Sequence, residues 1–216
     1  MKNKHLTYYN STEEKLNVIT HFIGLLLSIA ALVLLIVHAS YNGNARHIVS
    51  FTIFGASLIL LYSASTIYHY VQKPELRRKL NILDHASIYV LIAGTYTPFT
   101  LVTLKGALGW TIFGITWGIA LIGIFFKLFY TGRFDKISTI AYVAMGWIII
   151  FAIKPLIDTL PINGLYWLFA GGIFYTLGAV LYSIKKVPYN HAIFHVFVLL
   201  GSFSHFMAVY FYVLKH

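Results

Sequence analysis

Seven apolar stretches recur along this chain, and each is long enough to cross a bilayer as a helix. They run Asn17–Val37, Ile48–Tyr70, Ile82–Leu104, Leu108–Phe126, Ile137–Ile153, Ile162–Ile184 and Asn190–Leu214. About 20 residues rising 1.5 Å each span the ~30 Å hydrocarbon layer. The connections are short, and Pro74, Pro155, Pro161 and Pro188 stand at or near the edges of the stretches, where proline is tolerated. Pro98, in GTYTPF, lies inside the third stretch and is expected to kink it. The first stretch is long for a signal-peptide core and lacks a small-residue cleavage site, so it reads as a retained span. The expected fold is all-α: a polytopic membrane protein with a short polar N-terminal segment, residues 1–16, and one seven-helix transmembrane domain, residues 17–216.

Composition agrees. Hydrophobic residues make up 59% of the chain and charged residues 10%, which excludes an ordinary soluble domain. With no cysteine, disulfides and thiolate metal sites are excluded, and any metal must be held by histidine, carboxylate or water. The net charge of +10 is explained by the bias of positive residues toward cytoplasmic loops, without a nucleic-acid partner. One side of the seven spans would carry twelve cations: Lys2, Lys4, Lys15, Lys73, Arg77, Arg78, Lys79, Lys127, Arg133, Lys136, Lys185 and Lys186. The other would carry four: Arg46, Lys105, Lys154 and Lys215. That ratio sets the N-terminus in the cytoplasm and the C-terminus outside.

Ionisable groups inside spans are costly and mark function. His191 and His195, in PYNHAIFHVFVLLGSFSH, are four residues apart and share one helix face, about 6 Å apart along the axis. His69 closes the second span four residues before Lys73, and Ser65 lies one turn deeper on its face. Asp84 opens the third span and is the only carboxylate inside any of the seven stretches. These groups come from three helices and fall at the same depth. Three neutral imidazoles leave one position open on a tetrahedral zinc ion, the arrangement of a catalytic site. A water would complete it, with Asp84 holding that water and Ser65 steadying Asp84 or a ligand. Ordinary roles also exist: Asp84 suits a helix N-cap, Ser65 suits helix packing, and histidines can be hydrogen-bonded core residues. His21 enters the first span at the same depth and is either pocket-lining or packed. His85 is turned roughly 100° from Asp84, and His205 lies about 21 Å beyond His191 on the same helix, so neither is expected to join the metal. His5, His38, His47 and His216 read as interfacial or exposed. Gly94, Gly114, Gly118, Gly171, Gly172 and Gly178 read as sites of close helix packing.

Ser65-x-x-x-His69, Leu83-Asp84 and His191-x-x-x-His195 together resemble the signature of the progestin and adipoQ receptor superfamily. THFIG at 20–24, AGTYTPF at 93–99 and HAIFHVFVLLGSFSHF at 191–206 resemble its bacterial hemolysin III branch more closely. The resemblance covers all seven spans and implies a location in the bacterial cytoplasmic membrane. In the adiponectin receptors of that superfamily, histidines matching His69, His191 and His195 bind zinc, and an aspartate matching Asp84 holds a water on it. Those receptors, and the related alkaline ceramidases, are associated with hydrolysis of ceramide amides. This chain lacks their long N-terminal region and extended outer loops, which argues against reception of a protein hormone.

Three functions are consistent with these residues. One is a zinc-dependent intramembrane hydrolase acting on a lipid amide or ester from the bilayer. Another is a non-enzymatic sensor or regulator of the membrane, with zinc as a structural staple. The third is a pore-forming hemolysin, but no stripe of charges runs through a span to line a pore. A retinal protein is excluded because the seventh span has no interior lysine. The charge bias yields a direct expectation: reporter fusions at Lys2 and His216 should report cytoplasmic and external locations respectively. Both ends in one compartment would contradict the count of seven spans.

Overall fold

The computed structural model describes residues 8–131 and 135–214; Lys2, Lys4, His5, Arg133, Lys215 and His216 lie outside them. Eight α-helices follow in order, with no strand among the described residues: α1 (Ser11–Asn42), α2 (Ala45–Tyr70), α3 (Pro74–Pro98), α4 (Gly106–Tyr130), α5 (Asp135–Gly146), α6 (Ile153–Thr159), α7 (Ile162–Ser183) and α8 (Asn190–Ala208). With short extensions, and α5 and α6 counted as one, they make seven helices long and apolar enough to span a membrane.

Local chemistry explains where these helices begin and bend. The first starts at Ser11 rather than Asn17 because Asn10 caps it, accepting from the Glu13 amide at 2.9 Å. Glu13 and Glu14 occupy its first turn, where carboxylates suit the exposed N–H groups. The helix α2 starts on the Asn44 cap, and α3 starts with Pro74 in its first turn. As expected, Pro98 disturbs its helix. Having no N–H, it cannot continue the ladder, and Phe99–Thr103 form a π-helical turn closed by the Leu104 amide on the Phe99 carbonyl at 2.8 Å.

The fifth span departs from expectation. It extends to Thr159 rather than Ile153, and a 3-10 turn, Ile148–Ala152, separates α5 from α6. Pro155 therefore sits in the first turn of α6 instead of in a loop. Tyr96 of α3 repairs the break. Its hydroxyl donates to the Gly146 carbonyl at 2.8 Å and accepts from the Ile149 amide at 2.9 Å. Backbone groups released within the hydrocarbon layer need such partners.

The helices α1, α2, α3 and α4 pack in sequence, α7 packs on α8, and α8 closes back on α1. The most enclosed span is the third, and it is also the least apolar, because its polar groups face other helices rather than lipid. A single large apolar cluster includes Leu35, Phe51, Phe54, Leu58, Phe99, Leu156 and Val209. Inside it, Ser202 of α8 joins Tyr62 of α2 (2.7 Å) and Tyr175 of α7 (2.9 Å). Of the six glycines read as packing sites, Gly94 meets Ser57 and Gly171 meets His205, whereas Gly114 and Gly118 meet nothing. Between α3, α5, α7 and α8 lies a cavity of about 150 Å³. Replacing Tyr96 by Phe should leave the Gly146 and Ile149 backbone groups unpaired and destabilise the protein by about 1–3 kcal/mol, read as a shift of the unfolding midpoint in detergent.

Candidate metal centre

His69 stands one residue from the end of α2, and His191 and His195 occupy the first two turns of α8. Each contributes one ring nitrogen, and the three nitrogens lie within 4.8 Å of one another. The Nε2 atoms of His69 and His191 are 3.1 Å apart. All three residues are buried, His69 completely. The expected trio is therefore assembled, and the residues present fit a metal ion, because three buried imidazoles converge.

Several neighbours hold these helix ends in place. Tyr189, in the left-handed region at φ 55°, turns the chain into α8. Asn190 ties the start of α8 to the end of α7 by donating to the Tyr182 carbonyl at 2.9 Å. Glu13 of α1 accepts from the His191 amide at 3.2 Å and so caps α8 from another helix. Arg77 was counted above as a loop cation, but it is fully buried. Its guanidinium donates to the Tyr68 and Val71 carbonyls, both at 3.2 Å, at the open end of α2. It also pairs with Glu14 and stacks on the Tyr8 and Tyr68 rings. The other oxygen of Glu14 faces His69 Nδ1 at 2.7 Å.

The remaining Nδ1 atoms also have partners from the same stretch. Tyr9 Oη lies 2.9 Å from His191 Nδ1, with its ring stacked on the imidazole at 4.6 Å. His195 Nδ1 lies 3.3 Å from both the Asn17 carbonyl oxygen and Thr20 Oγ1. Burial above all, then the nearby carboxylates of Glu13 and Asp84, push the Tyr9 hydroxyl up, so it stays neutral.

Asp84 and Ser65 line the cavity together with His191 and His195. Asp84 lies about three turns into α3, which begins at Pro74, so the N-cap role does not apply. Its carboxylate faces His85 Nδ1 at 3.7 Å. Ser65 behaves differently from its neighbours. Ser57, Ser63 and Thr66 each donate to a carbonyl of their own helix, but the buried Ser65 Oγ makes no hydrogen bond. His21 also lines the cavity; its ring lies flat on His195 at 3.4 Å, and neither nitrogen has a partner. His85 and His205 line the cavity but fall outside the three-histidine group, as expected.

The sequence reading missed Tyr9, Glu13, Glu14, Asn17 and Arg77. A signal existed for part of this set. Glu14, Asn17, His21, Gly24 and Ser28 recur at alternating spacings of three and four, and all are buried. A polar and small stripe of that period in an apolar helix marks the face turned away from lipid. The geometry also sets an expected outcome for the trio. Purified protein should carry about one metal ion per chain, and His191→Ala should lose both that metal and thermal stability, because binding and folding share free energy. Full metal content in the variant, by elemental analysis, would remove His191 from the centre.

Comparisons with known proteins agree with the sequence motifs. The family model described as "Haemolysin-III related" matches residues 9–206. Hemolysin-3 of Bacillus cereus is 53% identical over 202 residues, covering 94% of this chain and 92% of that protein. The Hemolysin-3 homolog of Bacillus subtilis (strain 168) is 53% identical over 203 residues, covering 94% and 95%. More distantly, the human monocyte to macrophage differentiation factor is 28% identical over 169 residues, covering 76% and 70%. The chain thus belongs to the haemolysin-III-related family, multi-pass membrane proteins within the progestin and adipoQ receptor superfamily.

Proposed function

We propose that this protein is a zinc-dependent hydrolase of lipid amides or esters, working within the bacterial cytoplasmic membrane with its N-terminus inside. One observation carries the reading. His191 and His195 share the wall of an apolar cavity with Asp84 and the unpartnered Ser65, which supports a site that takes up a ligand. His69, His191 and His195 would hold the ion, and no cysteine is present to fill a fourth position. When bound, zinc supplies Lewis acidity toward a carbonyl and toward water.

The chain's own residues supply the rest. Asp84 is an acceptor-only carboxylate facing the cavity, suited to take a proton from an attacking water at Oδ. Ser65 Oγ–H has no partner to release before it donates to Asp84 or to a substrate oxygen. Ile88, Leu91, Ile92, Leu168 and Val198 wall the cavity, suited to a lipid tail and to excluding bulk water. The competing reading is a membrane regulator in which zinc only ties α2 to α8; the complete enclosure of His69 favours it.

Asp84→Asn separates the two, because the amide still accepts a hydrogen bond but hardly takes a proton. The hydrolase account expects a folded variant with full zinc content and lipid-amide hydrolysis slowed about 10²–10⁴-fold. If Asp84→Asn restores a deletion strain as well as the parent protein while His191→Ala does not, the regulator reading replaces the hydrolase.

A further inference from the structure

Zinc is bound by the bare nitrogen of a neutral imidazole, so each ring must keep its proton on the other nitrogen. We infer that residues 9–20 are the positioning layer for these protons: the Glu14 carboxylate and the Asn17 carbonyl hold them on Nδ1 of His69 and His195, and the Tyr9 hydroxyl serves either tautomer of His191. The inference rests on the metal reading above and extends it to residues outside the histidine and aspartate motifs.

The partners assign the protons. Asn17's carbonyl oxygen, 3.3 Å from His195 Nδ1, can only accept, so the proton of His195 belongs on Nδ1. Glu14's carboxylate, already paired with Arg77, can only accept as well, so His69 also carries its proton on Nδ1, 2.7 Å away. Asn17's side-chain amide, 3.4 Å from the same nitrogen and with its Oδ1 unpartnered, suits that tautomer once its oxygen faces the ring. Both Nε2 atoms are then bare. His191 is the adaptable member. Its Nε2, 3.1 Å from the bare Nε2 of His69, needs a proton there while no cation is present, and Tyr9 then donates to Nδ1. A hydroxyl both donates and accepts, so when His191 loses its Nε2 proton to solvent and gains one at Nδ1, Tyr9 can turn its O–H away and accept a hydrogen bond from Nδ1–H; Nε2 is then bare and the ring stays neutral. Arg77 adds a further link: by holding Glu14 and the final carbonyls of α2, it fixes the carboxylate relative to the helix that carries His69. Such outer hydrogen bonds orient metal ligands and raise their basicity.

The test uses the full chain in detergent micelles, with Glu14→Gln, Glu14→Asp and Tyr9→Phe. Zinc affinity is read by competition with a chelator, and histidine tautomers are read by nitrogen NMR of metal-free protein. Glu14→Gln should weaken zinc binding about 10–100-fold and raise the population of His69 protonated on Nε2. Glu14→Asp, which keeps an acceptor-only group, should recover part of the affinity. Tyr9→Phe keeps the ring stacked on His191 and deletes one oxygen; it should weaken zinc binding about 10-fold in a protein that still folds. If Glu14→Gln does not fold because Arg77 loses its anion, Tyr9→Phe alone decides. Unchanged zinc affinity in the folded variants, with the tautomer of His69 unmoved, overturns the inference. Should the parent protein bind no zinc, the hydrolase reading fails, and the tautomers alone decide whether residues 9–20 position the rings.

Discussion

The carboxylate of Glu14, shared between the Arg77 guanidinium and His69 Nδ1, is the interaction on which one end of this bundle depends. It links α1, α2 and α3 at a point where α1 and α2 also meet α8, through Glu13 and His69. Exposed ion pairs contribute about 0–1 kcal/mol, but removing one member of a buried pair costs about 3–5 kcal/mol because the other charge stays buried. Arg77 is fully enclosed and the Glu14 side chain is only 11% exposed, so this pair belongs to the second class. The same carboxylate faces a ring nitrogen of the metal centre. Stability and site geometry are therefore not separable at Glu14, and a change there is felt in both.

Elsewhere the bundle follows from one constraint: polar groups must find partners inside, because lipid offers none. The third span takes the central place because it has the polar residues to bury. Tyr96 closes the backbone gap in the fifth span, and Ser202 bonds to both Tyr62 and Tyr175 in the core. Ser65 Oγ and both nitrogens of His21 have no partner, as is also true of Thr103 Oγ1 away from the cavity. Ser65 and His21 line the cavity beside the histidine trio. A site that binds a polar ligand group leaves this pattern, since its donors and acceptors are kept for the ligand.

The seven spans and the three histidines were legible in the sequence because their signals are local: uninterrupted apolar length, and ionisable residues where they are costly. The break in the fifth span was not legible. Gly146 ends α5, but one glycine in an apolar run does not announce a break; the break is sustained by a hydrogen-bonding hydroxyl about fifty residues upstream, at Tyr96. Arg77 read as a loop cation because it sits among Arg78 and Lys79, and only tertiary contact shows it buried under Glu14 and two tyrosines. Tyr9 and Glu14 lay before the first apolar run and were assigned to a polar leader. The helix in fact begins at Ser11, and that extra turn carries the carboxylates to the histidines. Gly114 and Gly118 show the converse error, since small residues spaced for packing can face open space.

The central claim is that His69, His191 and His195 hold one zinc ion through Nε2 while residues 9–20 occupy the Nδ1 atoms. X-ray absorption at the zinc edge, on protein purified from cells without added metal, tests it most directly. The account predicts three imidazole nitrogens at ~2.0–2.1 Å, one further light-atom neighbour, and outer-shell scattering from three histidine rings. Protein that holds no zinc, or a zinc shell without histidine scattering, would contradict it.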